Sequence, residues 1–159
     1  MSSDNDFEDM QNENVDEAQF ANMTKSTYGS LKKGSVAMLK DRPCQILEVT
    51  TGKTGKHGAA KTIVKGSDLI TDKIVVTSSK STSPVWLPLV ERKTFNLIDL
   101  QDDYASLQDE IGNNFDYKLN LEDDYGKYIV ENKSNDDLII TLLFVIGEHR
   151  VVDARIGKQ

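Results

Sequence analysis

The sequence predicts a mainly β protein: two small antiparallel barrels, the second carrying one short helix, behind an acidic N-terminal tail. Three observations carry this. Short Val- and Ile-rich runs recur between turn formers along residues 35–77 and again along 94–156. Only one stretch, 123–131, combines acidic capping residues with apolar side chains at helical spacing, Tyr125 to Ile129. The charges also fall in blocks, which a total of −7 conceals.

In chain order, residues 1–22 hold seven acids (Asp4, Asp6, Glu8, Asp9, Glu13, Asp16, Glu17) and neither lysine nor arginine. With so little to bury, the segment reads as a disordered acidic tail, assigned to residues 1–27. Residues 35–40, 44–50, 62–65 and 73–77 are strand candidates separated by turn formers such as Asp41-Arg42-Pro43 and Lys65-Gly66-Ser67-Asp68, the rhythm of a small antiparallel barrel over residues 28–88. After a polar run, 78–83, Pro84 and Pro88 bracket Val85-Trp86-Leu87 and read as a semi-rigid connection with a domain boundary near Pro88. The second domain, 89–159, offers five strand candidates (94–100, 104–108, 115–121, 138–146, 150–156), which suits an oligonucleotide-binding-type barrel.

From Met23 to Pro88 there are 11 Lys and Arg against 4 Asp and Glu, and from Leu89 onward 8 against 15. The first barrel is therefore the candidate for contact with phosphate backbones. The longest apolar run, 138–147, is about half the length a bilayer requires, and no basic-then-apolar signal opens the chain, so a cytoplasmic protein without a membrane span is expected. The single cysteine, Cys44, reads as a small buried residue, and no Cys/His spacing suggests a metal site. His149 reads as structural, and Phe95, Tyr104, Phe115 and Tyr117 as core or rim of the second barrel rather than base-stacking platforms.

The candidate site is the segment 50–62, which joins two strand candidates and carries three glycines and three lysines with almost nothing bulky and apolar. Gly55 and Gly58 flank Lys56 and His57, and glycine permits the tight exposed tip that directs a lysine outward. Residues 55–62 match the phosphate-binding pattern G-x-x-x-x-G-K-T except at Ala60, but that loop needs a helix directly after it, whereas Thr62-Ile63-Val64-Lys65 is β-branched. Plain solvated lysines on a hairpin are the competing structural explanation.

The run Lys53-Thr54-Gly55-Lys56-His57-Gly58, followed by Ala60-Lys61, resembles the modification loop of the eukaryotic translation factor 5A family, related to archaeal factor 5A and bacterial elongation factor P. Gly34-Ser35-Val36, Arg42-Pro43-Cys44, Pro88 and Leu97-Ile98-Asp99-Leu100-Gln101-Asp102 extend the resemblance, with weaker matches at Tyr104, Ser106-Leu107, Tyr125-Gly126-Lys127 and Leu138-Ile139-Ile140-Thr141. The resemblance implies an SH3-like barrel followed by an OB-fold barrel, and no catalysis by the protein itself. It implies that Lys56 is converted to hypusine by deoxyhypusine synthase, which transfers an aminobutyl group from spermidine, and by deoxyhypusine hydroxylase. No other cofactor is implied.

It implies further an elongation factor on the ribosome, its lysine arm near the acceptor end of peptidyl-tRNA, that promotes peptide bonds at stalled sequences such as polyproline and aids termination. Lys53, Thr54, Gly55, His57, Gly58 and Lys61 would be the RNA- and ribosome-contacting residues, and a homodimer is left open. A generic RNA-binding module acting through unmodified lysines is the alternative. One departure stands out: the family usually has histidine where this chain has Ala59, which bears on the hydroxylation step more than on the first.

Overall fold

The computed structural model describes residues 23–53 and 60–157, and its chain divides into two units, Met1–Leu89 and Val90–Gln159. In the first unit a four-stranded antiparallel sheet runs in the order β2 (Val36–Leu39), β3 (Arg42–Lys53), β4 (Ala60–Asp68), β5 (Ile74–Lys80). Strands β2 and β3 turn through Lys40 and Asp41 at φ 48° and 64°, the left-handed pair a two-residue hairpin needs to match strand twist. An extra residue at Leu47 shifts the β3–β4 register between Ile46 and Glu48, and such a bulge bends and twists a strand. That curl lets Leu39, Cys44, Ile46 and Val64 meet as one buried core with Leu31, Ala37 and Val85.

Two segments depart from expectation. Met23–Thr27, assigned above to the tail, is strand β1, and Pro84–Pro88, read as a connector, is strand β6; the two pair antiparallel with Met23 opposite Pro88 and Thr27 opposite Pro84. The prolines occupy the two ends of β6, where a missing N–H costs the ladder least, and Val85 between them is buried in the core. Residues 1–22 lie outside the described part.

The second unit is a five-stranded antiparallel sheet in the order β11-β10-β7-β8-β9, built from β7 (Val90–Gln101), β8 (Tyr104–Gln108), β9 (Asn114–Lys118), β10 (Leu138–Val145) and β11 (Glu148–Ile156). Its core gathers Phe95, Leu107, Ile129, Leu138, Ile140 and Leu142. The helix α1 (Asp124–Glu131) stands between β9 and β10 as expected, capped by the Asp123 carboxylate, whose Oδ1 accepts from the Gly126 amide at 2.6 Å. Only glycine fits at 126, since a Cβ there would lie 1.9 Å from the Asn120 carbonyl oxygen. The fold is mainly β with one α-helix among the described residues, and no described helix is long and apolar enough to cross a membrane.

Candidate functional site

The predicted loop falls at the end of the β3–β4 hairpin. The last paired residues are Lys53 and Ala60, which leaves six between them. Thr54, Gly55, Lys56, His57, Gly58 and Ala59 lie outside the described residues, as does the Lys53 side chain.

That base is tied by hydroxyls. Thr62, fully buried, shares a hydrogen bond with Thr51 across the hairpin (Oγ1···Oγ1 3.1 Å) and another with Ser81 Oγ at 2.7 Å. Ser81 belongs to the turn between β5 and β6, and its amide donates to the Ala60 carbonyl at 2.9 Å. Gly29 donates in turn to the Ser81 carbonyl at 2.9 Å, an approach so close that a Cβ at 29 would sit 3.0 Å from the Ser81 Cβ. Strand β4 is therefore fastened to a third segment, and β3 is tied to it through Thr62, so the root of the hairpin is anchored. None of Thr51, Thr62, Ser81 or Gly29 was singled out by sequence reasoning, because nothing in a polar run 78–83 says which hydroxyl will meet a strand nearly twenty residues away.

The buried Thr62 also disposes of the phosphate-loop reading. Lys61 and Thr62 lie inside strand β4 rather than at a helix N-terminus, and the Thr62 hydroxyl is engaged within the protein.

Lys61 is exposed and lies directly across from Lys80 on β5, also exposed. Like charges opposed on neighbouring strands are unfavourable unless an anion or solvent answers them, so this pair makes the base of the loop an anion-seeking surface. Lys80 carried no sequence signal of its own; pairing register alone brings it to Lys61.

At the far end of the same hairpin the Arg42 guanidinium grips Asp68 through Nε at 2.6 Å and an NH2 nitrogen at 3.2 Å, while Asp68 Oδ1 also accepts from the amides of Ile70 and Thr71. Burial pushes the Asp68 carboxyl up, but these donors outweigh it and bring it to about 2. Burial likewise pushes the Cys44 thiol up, helped by the Asp68 carboxylate, to about 11, and its side chain is fully enclosed; it is no nucleophile at neutral pH.

In the second unit His149 packs on Phe115, Tyr117 and Phe144 with ring centroids 5.0, 5.4 and 5.8 Å away. Phe95 is buried and Phe115 and Tyr117 are half-buried against the core, whereas Tyr104 is exposed. Among the described residues no group of His, Cys, Asp and Glu converges as a metal ion would require.

Residues 22–83 match a family model described as translation initiation factor 5A-like, N-terminal, and residues 89–155 match one described as eukaryotic elongation factor 5A hypusine, DNA-binding OB fold. A eukaryotic translation initiation factor 5A of Dictyostelium discoideum is 32% identical over 131 residues, 82% of each chain. One from Drosophila melanogaster is 35% identical over 125 residues, 77% of this chain and 79% of its own. Among solved structures, a translation initiation factor 5A family protein from Naegleria fowleri is 31% identical, covering 84% of this chain and 99% of its own with a TM-score of 0.73. A factor 5A from Methanococcus jannaschii, 20% identical with a TM-score of 0.67, shares the fold.

Proposed function

This chain belongs to the translation initiation factor 5A family, and from that premise we propose that it acts in the cytoplasm as a ribosome-bound elongation factor through a hypusine at Lys56. The protein is then a substrate of modifying chemistry and no enzyme: deoxyhypusine synthase extends the Lys56 amine by an aminobutyl group from spermidine, and deoxyhypusine hydroxylase adds an oxygen.

The observation that supports this reading best is the anchored hairpin. Thr51, Thr62 and Ser81 fasten both strands just below a six-residue segment whose sequence is Thr-Gly-Lys-His-Gly-Ala. A rigid root is what a long cationic side chain needs if it is to be positioned rather than merely present. The modified arm carries a secondary and a primary amine on one stem, enough to pair with phosphate and hydroxyl oxygens near the acceptor end of peptidyl-tRNA while the ribosome supplies the reacting groups. The exposed Lys61 and Lys80 provide the salt-sensitive contacts beside it.

Peptide mass spectrometry over residues 51–62, on protein from its native cell, is expected to find aminobutyl plus oxygen on Lys56. Aminobutyl alone would locate the effect of Ala59 in the second step. Lys56→Arg is expected to abolish the stimulation of peptide-bond formation at proline runs in a reconstituted translation assay. A bare Lys56 together with an active arginine variant would instead establish RNA binding through unmodified lysines.

A further inference from the structure

The outer face of the β3–β4–β5 sheet is an unusual surface for a chain of net charge −7. Its cross-strand rows, starting from the loop end, read Gly52/Lys61/Lys80, Thr50/Ile63/Ser78 and Glu48/Lys65/Val76, with Ile74 beyond them. Lys61, Lys65 and Lys80 are exposed there against one acid, Glu48, and so are Ile63 (48%), Val76 (51%) and Ile74 (55%). Lys40, Ile63, Val76 and Ser78 line an open depression of about 340 Å³ on this side. No described element of the first unit covers it.

We propose that residues 1–22 of the same chain dock on this face as an internal counter-charge, so that an incoming RNA must displace them.

Three observations commit the face to this occupant. The first is charge: seven acids and no basic residue in 1–22 answer lysines that oppose one another across strands. The second is pattern: Phe7, Met10, Val15 and Phe20 are spread among those acids, matching a surface on which Ile63, Val76 and Ile74 lie among lysines. The third is reach. Just after β1 the chain passes the root of the hairpin, where Tyr28 and Gly29 bond the Ser83 and Ser81 carbonyls, and β1 itself adds only about 13 Å before residue 22. Twenty-two residues can span up to about 70 Å, against roughly 20 Å for the length of β4 from Lys61 to Ser67. Tethering makes the encounter intramolecular, so weak contacts suffice.

The docking is independent of Lys56 modification, and protein made in a bacterium serves for its test. Cys44 is enclosed, so an Asn12→Cys variant of the full chain accepts a nitroxide at one position. Paramagnetic broadening of the Ile63, Lys65, Val76 and Ser78 amides is expected. It should disappear in a Lys61→Glu, Lys65→Glu, Lys80→Glu background and fade as salt rises from about 0.1 to about 1 M, which shortens the Debye length from about 10 to about 3 Å. Replacing the seven acids by Asn and Gln should tighten binding of a single-stranded RNA several-fold, and a peptide of residues 1–22 added in trans should reverse the gain.

Broadening confined to β1 and β6, or spread evenly, overturns the proposal. So does broadening that appears only on isotope-labelled chains mixed with separately spin-labelled ones, since that assigns the face to a second copy. Unperturbed amides of the first unit's core, at Leu39, Cys44, Ile46 and Val64, show in each variant that the sheet bearing this face is intact. None of these readouts passes through the ribosome, so the outcome is separable from that of the hypusine reading.

Discussion

Asp68 is nearly enclosed, its side chain 4% exposed, yet it keeps its charge because Arg42 and two backbone amides face it. Its carboxyl titrates at about 2 in the folded chain against 3.8 as its ordinary value. A lowered folded value stabilises the protein above the unfolded value and ceases to do so as pH falls between about 4 and about 2, a contribution of roughly 2 kcal/mol. Asp68→Asn is therefore expected to cost about 2–3 kcal/mol at neutral pH in urea unfolding. The variant should also lose the corresponding part of the acid dependence of the parent; an unchanged acid profile would mean that other carboxylates carry it.

Among the elements, the β3–β4 hairpin is tied at its root by Thr62, bonded to Thr51 and Ser81. Thr62→Val keeps shape and removes the hydroxyl shared with Thr51 and Ser81, at about 1 kcal/mol. Hydrogen exchange should accelerate at Thr51, Lys53 and Lys61 while the amides of β10 and β11 hold. If the anchored root matters to function, aminobutyl transfer to Lys56 should slow in the same variant with the fold retained.

The strands themselves were legible where short apolar, β-branched-rich runs fall between turn formers, as in 138–146, and α1 was legible from Asp123 and the Tyr125–Ile129 spacing. The β1–β6 pair was not, because two prolines and an acid-rich neighbourhood argue locally against strand while Val85, buried in the core, decides the matter tertiarily. Residues 54–58 were readable only as composition and resemblance, and the root that holds them only from the fold. The Thr62–Ser81 bond and the Lys61–Lys80 pairing depend on register between strands, which no single segment encodes.

For the whole molecule, net charge is the wrong quantity from which to judge affinity for RNA. The chain totals −7, but residues 23–88 balance at +7, from 11 basic against 4 acidic, while 89–159 balance at −7, from 8 against 15. Charges within a Debye length of a bound phosphate backbone weigh most, so binding at the hairpin root should follow the first block and not the sum. A single strand that neutralises Z lysines loses affinity with salt at a logarithmic slope of about −0.7Z. Lys80→Ala and Lys61→Ala should each reduce that slope by about 0.7 and weaken binding of unrelated sequences alike, as contacts to phosphate do. Lys127→Ala and Lys133→Ala, exposed but in the acidic unit, should leave it unchanged. Equal effects from all four would mean that the blocks do not matter and that the strand contacts the protein diffusely, in which case the opposed lysines at the hairpin root would be bearing their mutual repulsion to no purpose.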